Sequence, residues 1–168
     1  MKYFLTIVLL VWSGFLARAQ TTVQWATSVV EVSTEFTELE NSSRQALLKP
    51  NILPSGGSNP NAWRPYRPNT TDFIKVGFDI PMPIEQIAIG ETYNPGAISQ
   101  VFLYDPEGNE YKVYDQEAGP VRERWRMFRI FIDKTEYNVA QVKVVLDGAK
   151  IDGFSDIDCI GISNSKTP

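Results

Sequence analysis

From residue 73 onward the chain is a succession of short apolar runs closed by turn-forming residues: 73–78, 84–92, 98–104, 110–114, 127–133, 141–146 and 157–163. Runs this short at this spacing read as strands of an antiparallel sandwich or barrel, with no helices alternating between them. The segment LYDPEGNEYKVY is the clearest hairpin, because Asp105-Pro106-Glu107-Gly108-Asn109 supplies a turn between two alternating runs. Alternation also sorts side chains by face. Phe128, Ile130 and Ile132 share one face while Arg129 and Phe131 share the other, and Val142, Val144 and Leu146 point inward opposite Lys143. The predicted fold class is therefore all-β, an antiparallel β-sandwich. Two such sheets bury enough apolar surface, at about 25 cal/mol per Å², to stand alone.

The first half of the chain reads differently. Residues 23–33 (VQWATSVVEVS) are predicted to form one β-branched strand, and residues 42–48 (SSRQALL) one short helical turn capped by Ser42 or Ser43. Helix should end there. Pro50, Pro54, Pro60, Pro65 and Pro68, with Gly56-Gly57, make the stretch up to Thr71 a long ordered loop.

Met1-Lys2, an apolar run over 3–16 and Ala17-Arg18-Ala19 form the pattern of a secretory signal peptide. Residues 1–19 are set apart on that basis, and residues 20–168 are expected to form one domain. The apolar run is shorter than the roughly 20 residues that span a bilayer, so no transmembrane segment is expected in the mature chain. The whole sequence carries a net charge of −4 at pH 7, which gives no long-range attraction for nucleic acid. The basic cluster RERWRMFR at 122–129 is read as an alternating strand face, not as a polyanion site.

Cys159 is the sole cysteine, which rules out an intrachain disulfide. A secreted domain without disulfides fits a bacterial envelope better than a small animal extracellular module. Cys159 itself lies in the apolar run DIDCIGIS and is expected to be a buried small hydrophobe. There is no histidine, which removes Ser-His-Asp and Cys-His nucleophilic machinery and ordinary zinc sites. No carboxylate pair stands out for glycoside hydrolysis, so the chain is not expected to be an enzyme.

The order ALLKPN, then AWRP, then FIKVGFDIPMPIEQIAI, closing on the strand DIDCIGI, resembles the discoidin branch (factor V/VIII C-type) of the galactose-binding-like superfamily. That resemblance implies a jelly-roll β-sandwich used for binding. The series QAL-KPN, GG-NPNAW, FIKVGF, YNPGAI-QVFLYD and LDG is further similar to N-terminal domains of Gram-negative envelope proteins that carry an OmpA-like peptidoglycan-binding domain. It implies a place in the periplasm, at the outer membrane or at the cell surface.

Candidate site residues follow from both lines. Trp63 suits either a sugar-stacking platform or an apolar anchor for the proline-rich loop, and the resemblance favours the anchor. Tyr66 and Arg67, next on that loop, are candidate ligand contacts. Glu91, Tyr93 and Asn94 precede a Pro95-Gly96 turn and form a second candidate ligand loop, although the turn alone accounts for Asn94. Asp147, Asp152 and Asp156 are candidate ligands for a structural calcium ion, which sandwiches of the resembled type often hold, but their spacing is not that of a calcium loop. Asp158, inside an apolar strand, is expected to need buried partners. The function expected is a secreted, non-catalytic binding module of the bacterial envelope whose partner is a glycan or an envelope protein. The alternative is a structural N-terminal component of an OmpA-like assembly with no free ligand.

Overall fold

The computed structural model describes residues 21–167, so the signal-peptide reading lies outside it. Among the described residues, nine strands form two antiparallel sheets. They are β1 (Val23–Trp25), β2 (Ser28–Val32), β3 (Thr71–Met82), β4 (Gln86–Tyr93), β5 (Ile98–Tyr104), β6 (Glu110–Asp115), β7 (Arg126–Phe131), β8 (Val139–Asp147) and β9 (Asp156–Ser163). One sheet runs β1-β9-β4-β7 and the other β2-β3-β8-β5-β6. The core lies between them: Ile74, Val76, Val142, Val144 and Leu146 meet Ile87, Ile89, Ile160 and Ile162, all essentially without solvent contact. The inward set Val142, Val144 and Leu146 is thus as the alternation requires. On the outer face Lys143 lies over the Phe73 ring, 4.1 Å from its centroid.

The single strand predicted over 23–33 is two strands in different sheets. At the junction the Ala26 N–H donates to the Ile160 carbonyl, while the Thr27 N–H donates to that of Gly77. The chain crosses the sandwich between these two residues, and Ala26, fully buried, is small enough to allow it. The strand predicted at 73–78 runs on to Met82, but its pairing with β8 lapses between Gly77 and Met82. Pro81 lies in that gap and has no N–H to give to a ladder.

The predicted helical turn is a 3-10 turn at Ser43–Ala46, and neither serine caps it by side chain. Ser43 instead gives both its N–H and its hydroxyl to the Glu35 carboxylate, each at 2.7 Å. A second 3-10 turn, Gly148–Lys150, follows β8 and was not predicted. The β5–β6 hairpin turns as expected: Asp105 accepts from the N–H and the side-chain amide of Asn109, both at 2.8 Å, and Gly108 takes φ +89°.

Cys159 is buried between β4 and the 51–53 loop, and burial pushes its thiol up to about 12. The folded protein should therefore resist an aromatic disulfide reagent at pH 8 and react stoichiometrically in guanidinium chloride. Prompt reaction without denaturant would show that the 51–53 cover opens freely.

Candidate functional site

At one end of the sandwich the loops gather around a cleft of about 660 Å³. One wall is Ser55, Gly56, Gly57 and Ser58 from the loop before β3. The facing wall is 121–125 from the loop before β7. Tyr93 at the end of β4, Asn94 and Pro95 of the β4–β5 loop, and Asp152 of the β8–β9 loop complete it. This volume is within the usual range for a small-ligand site.

Two aromatic side chains stand open on it, Tyr93 at 41% exposure and Trp125 at 38%. Trp125 owes its place to Gly56. That glycine has φ +67°, and a Cβ there would lie 2.2 Å from the Trp125 ring and 2.8 Å from its Cβ, so no other residue lets the indole lie against the opposite wall. Arg122, Glu123, Arg124 and Asp152 add charge of both signs around the rings, and among the described residues none of the four is in an ion pair. Aromatic faces ringed by forked donors and carboxylate acceptors suit a polyhydroxylated ligand, which offers C–H faces for stacking and hydroxyls for hydrogen bonds.

The cleft is held from behind by groups the sequence does not advertise. Glu91, 1% exposed, accepts from the Gly96 N–H at 2.7 Å and is paired with Arg126. Burial pushes its carboxyl up against the opposing pull of Arg126. It is therefore a support of the β4–β5 turn and lies out of reach of a ligand, a correction to its reading as a contact. Gly96, at φ +115°, is fixed by sterics as well, since a Cβ there would sit 2.2 Å from the Gly119 carbonyl oxygen. Asn94 spends its side-chain amide on the Asp152 and Phe154 carbonyls, at 2.7 and 3.2 Å. It fastens the β8–β9 loop to the cleft and can offer a ligand only its amide oxygen.

Tyr66 and Arg67 lie elsewhere. Tyr66 is exposed and outside the cleft, and Arg67 covers the Tyr66 ring at 5.7 Å. Arg67 lines a separate recess of about 10 Å³, barely room for one water and none for a sugar ring. The two are not brought together with Tyr93 and Asn94. The calcium candidates also separate. Asp147 ends β8, Asp152 sits on the cleft wall, and Asp156 is fully buried with both oxygens held by Arg64 at 2.7 Å. Among the described residues no three carboxylate, cysteine or histidine side chains converge as on a metal. Arg64 occupies the place at Asp156 that a cation would need.

Trp63 is buried completely and its indole N–H donates to the Thr34 carbonyl at 3.0 Å. Asp158, also buried, accepts from the backbone N–H groups of Asn51, Ile52 and Leu53 at 3.1–3.2 Å. Sequence reasoning missed Trp125, Arg122, Arg124, Gly56 and Ser58. The alternation in RERWRMFR suggests a strand over the whole segment, but β7 begins at Arg126 and 122–125 is loop. The Gly119-Pro120 pair just ahead and the lack of any β-branched residue over 122–126 are the signals for that loop.

No family model matches the chain, and no curated protein is significantly similar to it in sequence. Solved structures are similar in fold. The family 32 carbohydrate-binding module of C. perfringens NanJ, solved with galactose, superposes with a TM-score of 0.57 at 15% identity, covering 85% of this chain and 93% of that one. The family 32 module of AlyQ, solved with 4,5-unsaturated mannuronic acid, gives 0.56 at 13%, covering 83% and 96%. The repair protein XRCC1, solved bound to the catalytic domain of DNA polymerase beta, gives 0.63 at 13%, covering 84% and 97%. None of these comparisons supports the expected likeness to OmpA-associated domains. The chain has the fold of the galactose-binding-like β-sandwiches, the architecture these carbohydrate-binding modules share.

Proposed function

We propose that this protein is a non-catalytic carbohydrate-binding module that takes a glycan in the cleft between residues 55–58 and 121–125. The observation that carries the reading is the pair of exposed rings, Tyr93 and Trp125, set among arginine and carboxylate side chains in one cleft. Two of the structural neighbours are carbohydrate-binding modules solved with sugars, which supports the same reading. The envelope location is part of the proposal and draws its support from the signal-peptide pattern and the sequence motifs. XRCC1 bound to a polymerase domain favours a second reading, in which the ligand is a protein and the sandwich serves as a docking module.

A glycan array probed with the protein, alongside a pull-down from envelope extracts, separates the two. Binding to a restricted set of glycans is expected. Trp125→Ala should weaken it by about tenfold or more, as loss of a central aromatic anchor does, with an unchanged melting temperature because the ring is partly exposed. Array silence with a specific protein captured would favour the docking module. Silence in both would leave the alternative of a structural component without a free ligand.

A further inference from the structure

Behind the cleft lies a buried ion pair with an unusual set of contacts. Arg64 Nε donates to Asp156 Oδ1 and Nη2 to Asp156 Oδ2, both at 2.7 Å, the two-pronged geometry that is strongest for a guanidinium and a carboxylate. The same Nη2 donates to the Ser58 hydroxyl on the cleft wall. Asp156 stands opposite Tyr93 in the sheet. The Arg64 guanidinium lies over three rings: Phe154 at 5.0 Å, Phe36 at 5.8 Å and Tyr93 at 6.0 Å, within the range of a cation–π contact. Phe36 and Phe154 meet edge to face behind it. Asp156 has no solvent contact and the Arg64 side chain little.

We propose that Arg64 and Asp156 are positioning residues for the cleft, fixing the Tyr93 ring on one side and the Ser58 hydroxyl on the other. This rests on the reading of the cleft as the ligand site. A buried pair of this kind adds little net stability, because the desolvation of both charges offsets their attraction. What it does supply is direction. A guanidinium has donors only, so the Ser58 oxygen must accept from Arg64, and its own hydrogen is left to point elsewhere. Ser58 is exposed on the cleft wall, so it meets a ligand as a hydroxyl donor, suited to a ligand oxygen. The Tyr93 ring, held from behind by the cation, keeps its outer face for stacking without ordering a side chain at the moment of binding.

The test needs no sugar. The protein is labelled with 3-fluorotyrosine and its ¹⁹F spectrum is recorded for the wild type and for Arg64→Lys, with the Tyr93 line assigned by Tyr93→Phe. Lysine keeps a positive charge near Asp156 but cannot hold the carboxylate and Ser58 in one plane. The Tyr93 line should shift and broaden in Arg64→Lys, while the lines of Tyr111 and Tyr137, stacked on each other at the opposite end of the sandwich, stay in place. An unchanged Tyr93 line in a folded Arg64→Lys protein overturns the proposal, and so does movement of all tyrosine lines together, which marks a general structural role. If Arg64→Lys does not fold, Ser58→Ala removes one acceptor of the same guanidinium from an exposed site. It should also move the Tyr93 line, and a spectrum identical to wild type would then be the contrary result. Because no ligand is present, these outcomes are independent of whether the cleft takes carbohydrate.

Discussion

Replacing Trp63 by alanine is expected to destabilise the domain by about 3–5 kcal/mol, the range for removing a large aromatic from a core. The indole is fully buried, and its N–H is spent on Thr34. The backbone of the same residue exchanges two hydrogen bonds with Ile157, at 2.8 and 2.9 Å, so the proline-rich loop is sewn to β9 at this point. Truncation leaves a cavity the size of the ring and removes the hydrogen bond to Thr34. Since the loop carries Ser58 and Arg64, sugar binding should fall only as the fold does. Chemical denaturation followed by fluorescence of the remaining tryptophans measures the loss. A variant as stable as wild type would mean that the loop is held without its apolar anchor.

The second large effect is expected at Asp158. Its carboxylate gathers three successive backbone N–H groups, those of Asn51, Ile52 and Leu53, beneath the loop that becomes the Gly56–Ser58 wall of the cleft. Asp158→Ala strands these donors in surroundings that are partly or wholly closed to water. At about 1–3 kcal/mol for each buried unsatisfied donor, and with only Ile52 fully buried among the three, a loss of about 3 kcal/mol is expected. Asp158→Asn retains one acceptor oxygen and should cost less. Amide hydrogen exchange sharpens the test: protection should drop at residues 51–53 first and leave the β3–β8 ladder as it was. Equal loss across both sheets would place the role of Asp158 in the core as a whole.

The strands were legible because each buried face repeats every second residue between turn formers. Ile98–Tyr104 matches its predicted bounds, and the other six predicted runs after residue 73 each fall on one strand. What escaped are events that alternation cannot encode. The crossing at Ala26 is decided by which sheet offers a carbonyl, Ile160 or Gly77, and both lie far along the chain. The cleft was legible in part. Tyr93 belongs to the second candidate ligand loop and does line the cleft. Trp125 was absorbed into a strand pattern, and only its contact with Gly56, distant in sequence, shows it to be a cleft wall. The acidic cluster misled for a related reason: Asp147, Asp152 and Asp156 are near in sequence, yet a strand end, a loop and a buried ion pair with Arg64 send them apart.

Titration of isotope-labelled protein with a bound oligosaccharide from the array, followed by backbone amide shifts, tests the central claim most directly. Shifts are expected at Gly56–Ser58, Tyr93, Asn94 and Arg122–Trp125, with Lys143 and the outer face of its sheet unmoved. Shifts confined to Tyr66 and Arg67, or to the Tyr111 and Tyr137 end of the sandwich, would contradict it.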